Sequence, residues 1–203
     1  MLSNQRSWKQ ISEKHTEIKE IFNNFNYEYL LNAEPLLLVD KIREIKCGNR
    51  SIKSQMYGLR HNLLVFASII SDYGSLDSYV TSEKPEIIAH DISEGKYKLK
   101  GIGLALAMEY LKNVGIDTIK PDTHIKRLFG SDRLGLSNKE FASDDEVIKI
   151  VHQMSSETGL SSSEIDSIIW QFCATKYAFI CGGNPKCEKC LLRTRCNKPK
   201  IKN

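Results

Sequence analysis

The sequence lacks the features that define several large classes of protein. No apolar run approaches the roughly 18 residues of a membrane-spanning helix. The opening stretch, MLSNQRSWKQISEKH, has no apolar segment of the kind a secretory signal carries. No stretch alternates apolar and polar residues as a half-buried strand does, and there is no internal repeat or low-complexity segment. Acid is nearly missing from the end of the chain. From Cys181 onward Glu188 stands alone against Lys186, Lys189, Arg193, Arg195, Lys198, Lys200 and Lys202. These absences predict an all-α protein of the cytoplasm. The basic end suits a polyanion partner or serves as a solubilising tail. The overall charge of +4 decides little by itself.

What is present reads as helix. The 203 residues suffice for one large domain or two small ones. Trp8, Ile11, His15, Ile18 and Phe22 recur at helical steps, and Leu36 to Ile45 and Ile52 to Ile70 predict two further helices. Tyr73-Gly74-Ser75 stops the latter. Leu76 to Val80 and Pro85 to Ile92 predict short helices, with Pro85 suited to a first turn. A Gly101-Ile102-Gly103 turn opens another helix, which Gly115 closes, and Asp122 to Phe129 predicts the next. Ser143 with Glu146, and Ser161 with Glu164, have capping-box spacing and open two longer helices.

Four of the six cysteines crowd into CGGNPKCEKCLLRTRC, where Cys181, Cys187, Cys190 and Cys196 are spaced C-x6-C-x2-C-x5-C. Clustered cysteines without a secretory signal read as metal ligands before disulfides. Four thiolates can surround one zinc ion or ligate a [4Fe–4S] cube. Zinc sites usually pair two closely spaced couples, and this loop has one. Cys173 falls outside the spacing, on the apolar side of a helix, and reads as core. Cys47 has no ligand neighbours and takes no role.

The second signal is Leu99-Lys100-Gly101-Ile102-Gly103, followed about twenty residues on by Lys120-Pro121-Asp122-Thr123-His124. The glycines allow a sharp turn between helices. The amides of Gly101, Ile102 and Gly103, with Lys100 beside them, offer an anion site for one phosphate. Asp122 is placed to cap the next helix, a position that also keeps a carboxylate ionised.

Taken together, the hairpin, helix, Gly115–Pro121 linker and Asp122 resemble the helix-hairpin-helix–Gly/Pro–Asp DNA glycosylase superfamily. The cysteine spacing is similar to the terminal iron–sulfur loop of its endonuclease III/MutY-like branch. The resemblance runs from about Asn32 to Cys196. It implies two helical lobes, residues 28–120 forming a helical barrel with the hairpin, and residues 1–27 with 121–203 forming the cluster lobe. It implies a monomer acting on double-stranded DNA that holds a damaged or mismatched base, in base excision repair. It also implies that Asp122 is catalytic, that Cys181, Cys187, Cys190 and Cys196 hold a [4Fe–4S] cluster, and that Lys189, Arg193 and Arg195 join the hairpin in contacting DNA.

The chain departs from the family pattern at two places. Ala105 stands where strand-cleaving members carry a Schiff-base lysine, so a monofunctional glycosylase is expected. Lys120 lies in the linker with nothing in the sequence to turn it inward. The turn after the second long helix lacks the family's glutamines, leaving Asn49 or Arg50 to fill the gap of a flipped base. Asp40 falls near a general-acid position of the adenine glycosylases and also reads as a polar residue ending an apolar stretch. The competing readings are a catalytically silent DNA-binding or damage-sensing protein on the same scaffold, and a zinc-stabilised nucleic-acid module.

Overall fold

The computed structural model describes residues 8–175 and 177–198; Lys200 and Lys202 of the basic end lie outside them. Among the described residues the chain is helical, with no strand. By internal contact it divides into two compact units, Met1–Gly103 and Leu104–Asn203. The division falls immediately after the Gly101-Ile102-Gly103 turn.

The first unit contains α1 (Trp8–Glu13), α2 (His15–Ile21), α3 (Tyr27–Asn32), α4 (Pro35–Glu44), α5 (Ile52–Tyr73), α6 (Leu76–Val80) and α7 (Pro85–Ser93). The periodicity over residues 8–22 predicts one helix, but the chain breaks it at Lys14. Pro35 and Pro85 each stand in a first turn, where the missing N–H costs nothing. α5 ends at Gly74, whose φ of +81° returns the chain at no steric cost. The long α5 is the axis of the unit, packing against α3, α4 and α6. Its core joins Ile18, Leu30, Leu38, Ile42, Ile52 and Met56, and Cys47 is buried among them. At the other end Tyr73, Tyr79 and Tyr97 meet edge to face. Tyr79 donates to Asp91 at 2.8 Å.

The second unit contains α8 (Leu104–Asn113), α9 (Thr123–Phe129), α10 (Asp144–Thr158) and α11 (Ser162–Cys173), then two 3-10 turns, Cys187–Lys189 and Arg193–Arg195. Helices α9, α10 and α11 pack on one another. Both capping boxes form: Ser143 and Ser161 accept from the amides of Glu146 and Glu164, whose carboxylates reach back to the serine amides at 2.7 and 2.8 Å. Met108, Leu111, Ile125, Phe129, Val147 and Val151 are almost wholly buried and form the apolar interior. Asp117 accepts from the first amides of α11, Ser162 at 3.2 Å and Ser163 at 2.9 Å, and so ties the α8–α9 linker to that helix. Its carboxyl is held below its usual range by the Ser163 and Ser162 bonds, which outweigh the opposing cost of its burial.

Candidate functional site

Asp122 caps α9. Its backbone is extended, and its Oδ1 accepts from the amides of His124 at 2.7 Å and Ile125 at 3.2 Å. Oδ2 takes no part in the cap. Pro121 beneath it is buried, and the Asp122 amide bonds back to the Lys120 carbonyl at 2.8 Å, so the residue is fixed from both sides. The sequence supplies this geometry locally: proline fixes the approach, and a short acceptor at the next position starts the helix.

The surroundings of Asp122 are charged, and here the structure adds residues that the sequence does not single out. Ala105, Glu109 and Lys112 occupy one face of α8, four and three residues apart. Lys120 is half-buried and faces Glu109 at 3.6 Å, so the linker lysine does turn toward a partner. Lys112 pairs with Asp166 of α11, a buried carboxylate. Burial pushes the Asp166 carboxyl up, the Lys112 contact pulls it down, and the negative charges of Asp122 and Glu109 push it up again, so the shift is upward. Asp122 thus lies near enough for its charge to act on Asp166, while the two lysines pair with Asp166 and Glu109. The i, i+3 spacing of Glu109 and Lys112 was the available signal; Asp166, 54 residues beyond Lys112, had none.

The hairpin belongs to the first unit and is held by α5. The buried Asn62 clamps Lys100, donating to its carbonyl at 3.1 Å and accepting from its amide at 2.7 Å. One helical turn earlier, Gly58 faces the Lys100 Cβ: a Cβ on Gly58 would stand 3.0 Å from it. His61 Nε2 lies 3.1 Å from the Lys98 carbonyl. Gly101 has φ +75°, the left-handed conformation that the turn requires. The turn's own bonds use the amides of Leu99, Lys100 and Ile102, leaving those of Gly101 and Gly103 out of them among the described residues. Lys100, Gly101 and Gly103 are exposed and Ile102 half-buried. Asp40 is exposed on α4, beside the buried Leu38 and Val39. Asn49 is buried and its Oδ1 accepts from the Ser51 amide at 2.8 Å, which leaves Arg50 as the exposed residue of that turn.

The cysteine loop is stitched to the rest of the second unit. Ile180 and Cys181 return to the carbonyl of Phe172 at 2.9 and 3.4 Å. Asn197 donates to the carbonyls of Arg133 at 2.7 Å and Ser131 at 2.8 Å. Arg127, on the last turn of the helix that Asp122 opens, donates to the Cys181 carbonyl at 3.3 Å. One short helix therefore connects the candidate carboxylate to the loop. Cys181 and Cys196 are buried, and Cys187 and Cys190 partly so. Lys189, Arg193 and Arg195 are exposed.

Cys173 is core, as its position suggests, and its thiol also meets Cys181 in a hydrogen bond. That bond and burial push the Cys173 thiol up. The same bond draws the Cys181 thiol down, and so do the Arg133 and Arg127 guanidiniums, against the opposing cost of burial. The Cys190 thiol is raised by burial and then by the charges of Cys181, Cys196 and Cys187. Among the described residues no three His, Cys, Asp or Glu side chains gather closely enough to hold a single metal ion. The donors are nevertheless four sulfurs, and Arg127 Nε and Arg133 Nε are buried with no hydrogen-bond partner among the described residues. Sulfur donors beside two such guanidinium nitrogens fit an anionic, thiolate-ligated centre.

Neither of the two best-formed surface depressions includes Asp122, the hairpin or the loop. One is lined by Glu13, Lys14 and Glu44–Lys46, the other by Leu160, Ser163, Glu164, Ser167 and Ile168. No described helix is long and apolar enough to cross a membrane. The chain matches no family model, no curated protein and no solved structure. The functional reading therefore rests on the residues themselves.

Proposed function

We propose that this chain is a monofunctional DNA glycosylase of the helix-hairpin-helix–Gly/Pro–Asp type, removing a damaged or mismatched base from double-stranded DNA by hydrolysis. The observation that carries the proposal is the setting of Asp122: one carboxylate oxygen is anchored by two amides and the other is left outside the cap. As an N–C1′ bond breaks, positive charge builds on the sugar. A fixed carboxylate stabilises that charge and takes a proton from the attacking water. The departing base carries away the bond's electron pair. Asp40, exposed on α4, is the candidate donor of a proton to it. The target nucleotide leaves the stack to reach the carboxylate.

In this reading Lys100 and the amides of Gly101 and Gly103 hold one phosphate, the Ile102 amide being used within the turn, and Lys189, Arg193 and Arg195 hold others. Cys181, Cys187, Cys190 and Cys196 would hold a [4Fe–4S] cluster. When bound, it supplies structure to the loop rather than chemistry on the base. Ala105 provides no amine for an imine, so the product is an abasic site in an uncut strand.

The test is Asp122→Asn. Asparagine caps helices as well as aspartate, so the fold stays intact. Base release in single-turnover assays over oxidised, alkylated, deaminated and mismatched lesions is expected to fall on the order of 10²–10³-fold, the usual loss when one preorganised charge-stabilising group is removed. Unchanged release, or a wild type that releases nothing from the whole panel while still binding DNA, leaves the catalytically silent scaffold as the reading.

A further inference from the structure

We propose that Leu191 is an apolar wedge which the cysteine loop inserts at a base-pair step of duplex DNA, entering from the minor groove. This rests on the reading that the loop faces DNA, and gives the loop a second task beyond holding phosphates. Leu191 is 95% exposed, whereas no other large apolar side chain among the described residues exceeds 56%. At that exposure the side chain contributes nothing to the core.

Backbone bonds shape the segment that presents it. Cys190 donates to the Cys187 carbonyl at 3.3 Å, Arg193 to that of Cys190 at 3.2 Å, and Arg195 to that of Leu192 at 3.0 Å. Leu191 therefore stands between two short 3-10 turns, and with the four thiolates ligated it would have little ordering left to do on binding. Exposed Lys189, Arg193 and Arg195 flank it in the sequence, and Glu188 is the only acid in the loop. An apolar point amid cations matches a surface that is anionic outside and apolar in its stack. Minor-groove proteins use single leucines in this way, prying base pairs apart while cations bind the flanking phosphates. A lipid surface would need a broad apolar face, and the neighbouring Leu192 is only 36% exposed.

The experiment compares the full-length wild type with Leu191→Ala and, as a charge control, Arg193→Ala. Each is titrated with a duplex carrying a tetrahydrofuran abasic analogue at several salt concentrations. 2-Aminopurine is placed in turn at each step flanking the lesion. Leu191→Ala is expected to melt as the wild type does, because the side chain touches almost nothing. It is expected to bind roughly tenfold more weakly at every salt concentration, the loss of one apolar side chain's contact, and to lose the fluorescence rise that reports unstacking. Its slope of log K against log salt should match the wild type, while Arg193→Ala should flatten that slope by about one. Wild-type affinity and fluorescence in Leu191→Ala would overturn the wedge and leave the DNA reading standing. A wild type with no salt-dependent duplex binding would overturn both. Binding to phosphatidylserine vesicles that Leu191→Ala loses, with DNA binding unchanged, would assign the leucine to a membrane instead.

Discussion

At the residue scale, what could be read in advance was what the chain states locally. Asp122 follows proline and precedes a helical pattern, so its cap was legible. Asn62 was not legible, because it sits in the middle of a helix and its partner is 38 residues away. A buried side-chain amide that both donates to and accepts from the backbone of one residue behaves as an internal strut. Asn62→Ala leaves the Lys100 amide and carbonyl short of partners in a part-buried place. The expected cost is about 1–3 kcal/mol in urea denaturation. The hairpin amides would also lose their alignment. Duplex affinity is expected to fall while single-turnover base release at saturating enzyme stays near the wild-type rate. Lowered release at saturation, with affinity intact, would remove the hairpin from phosphate binding.

At the element scale, helix boundaries were legible wherever a stop or start has its own chemistry. Gly74, Pro85 and the two serine–glutamate boxes all act at the ends that the sequence predicts. The break at Lys14 and the short α3 were missed, because apolar periodicity runs through the first and the second has only one buried residue, Leu30. The α10 box carries a pH signature. Bonds from the Ser143 amide and hydroxyl hold the Glu146 carboxyl down to about 2, from an ordinary value of 4.5. A group depressed by folding lends stability that is present above its unfolded pKa and lost as the pH falls toward its folded pKa. The expected window is therefore about pH 4.5 down to about 2. In thermal melts across that range, Glu146→Gln should show a shallower loss of stability with acid than the wild type. Parallel curves would mean that the box holds its geometry without favouring the charged form.

At the scale of the whole molecule, the two units are secured by different means. The first unit has a continuous apolar core around α5. The last part of the second has little of that kind. Between residues 177 and 198 only Cys181, Gly182 and Cys196 are buried, and the segment is tied down by a handful of backbone bonds and by Asn197. Two cysteines and a glycine bury too little apolar surface to offset the entropy of ordering such a loop. Ligation of four thiolates would make up the difference, because metal affinity for a site absent from the unfolded chain is folding energy. Iron removal from the purified protein, by oxidation in the presence of a chelator, should therefore act on one end of the chain. Brief trypsin treatment is expected to cut at Lys186, Lys189, Arg193 or Arg195 much faster after iron loss, and mass spectrometry should find the segment from α2 through α11 still whole. Equal cleavage before and after treatment would mean that the loop holds itself together. A colourless protein with one equivalent of zinc, protected in the same way, would keep the stabilising role of the thiolates and replace the iron cluster with a single ion.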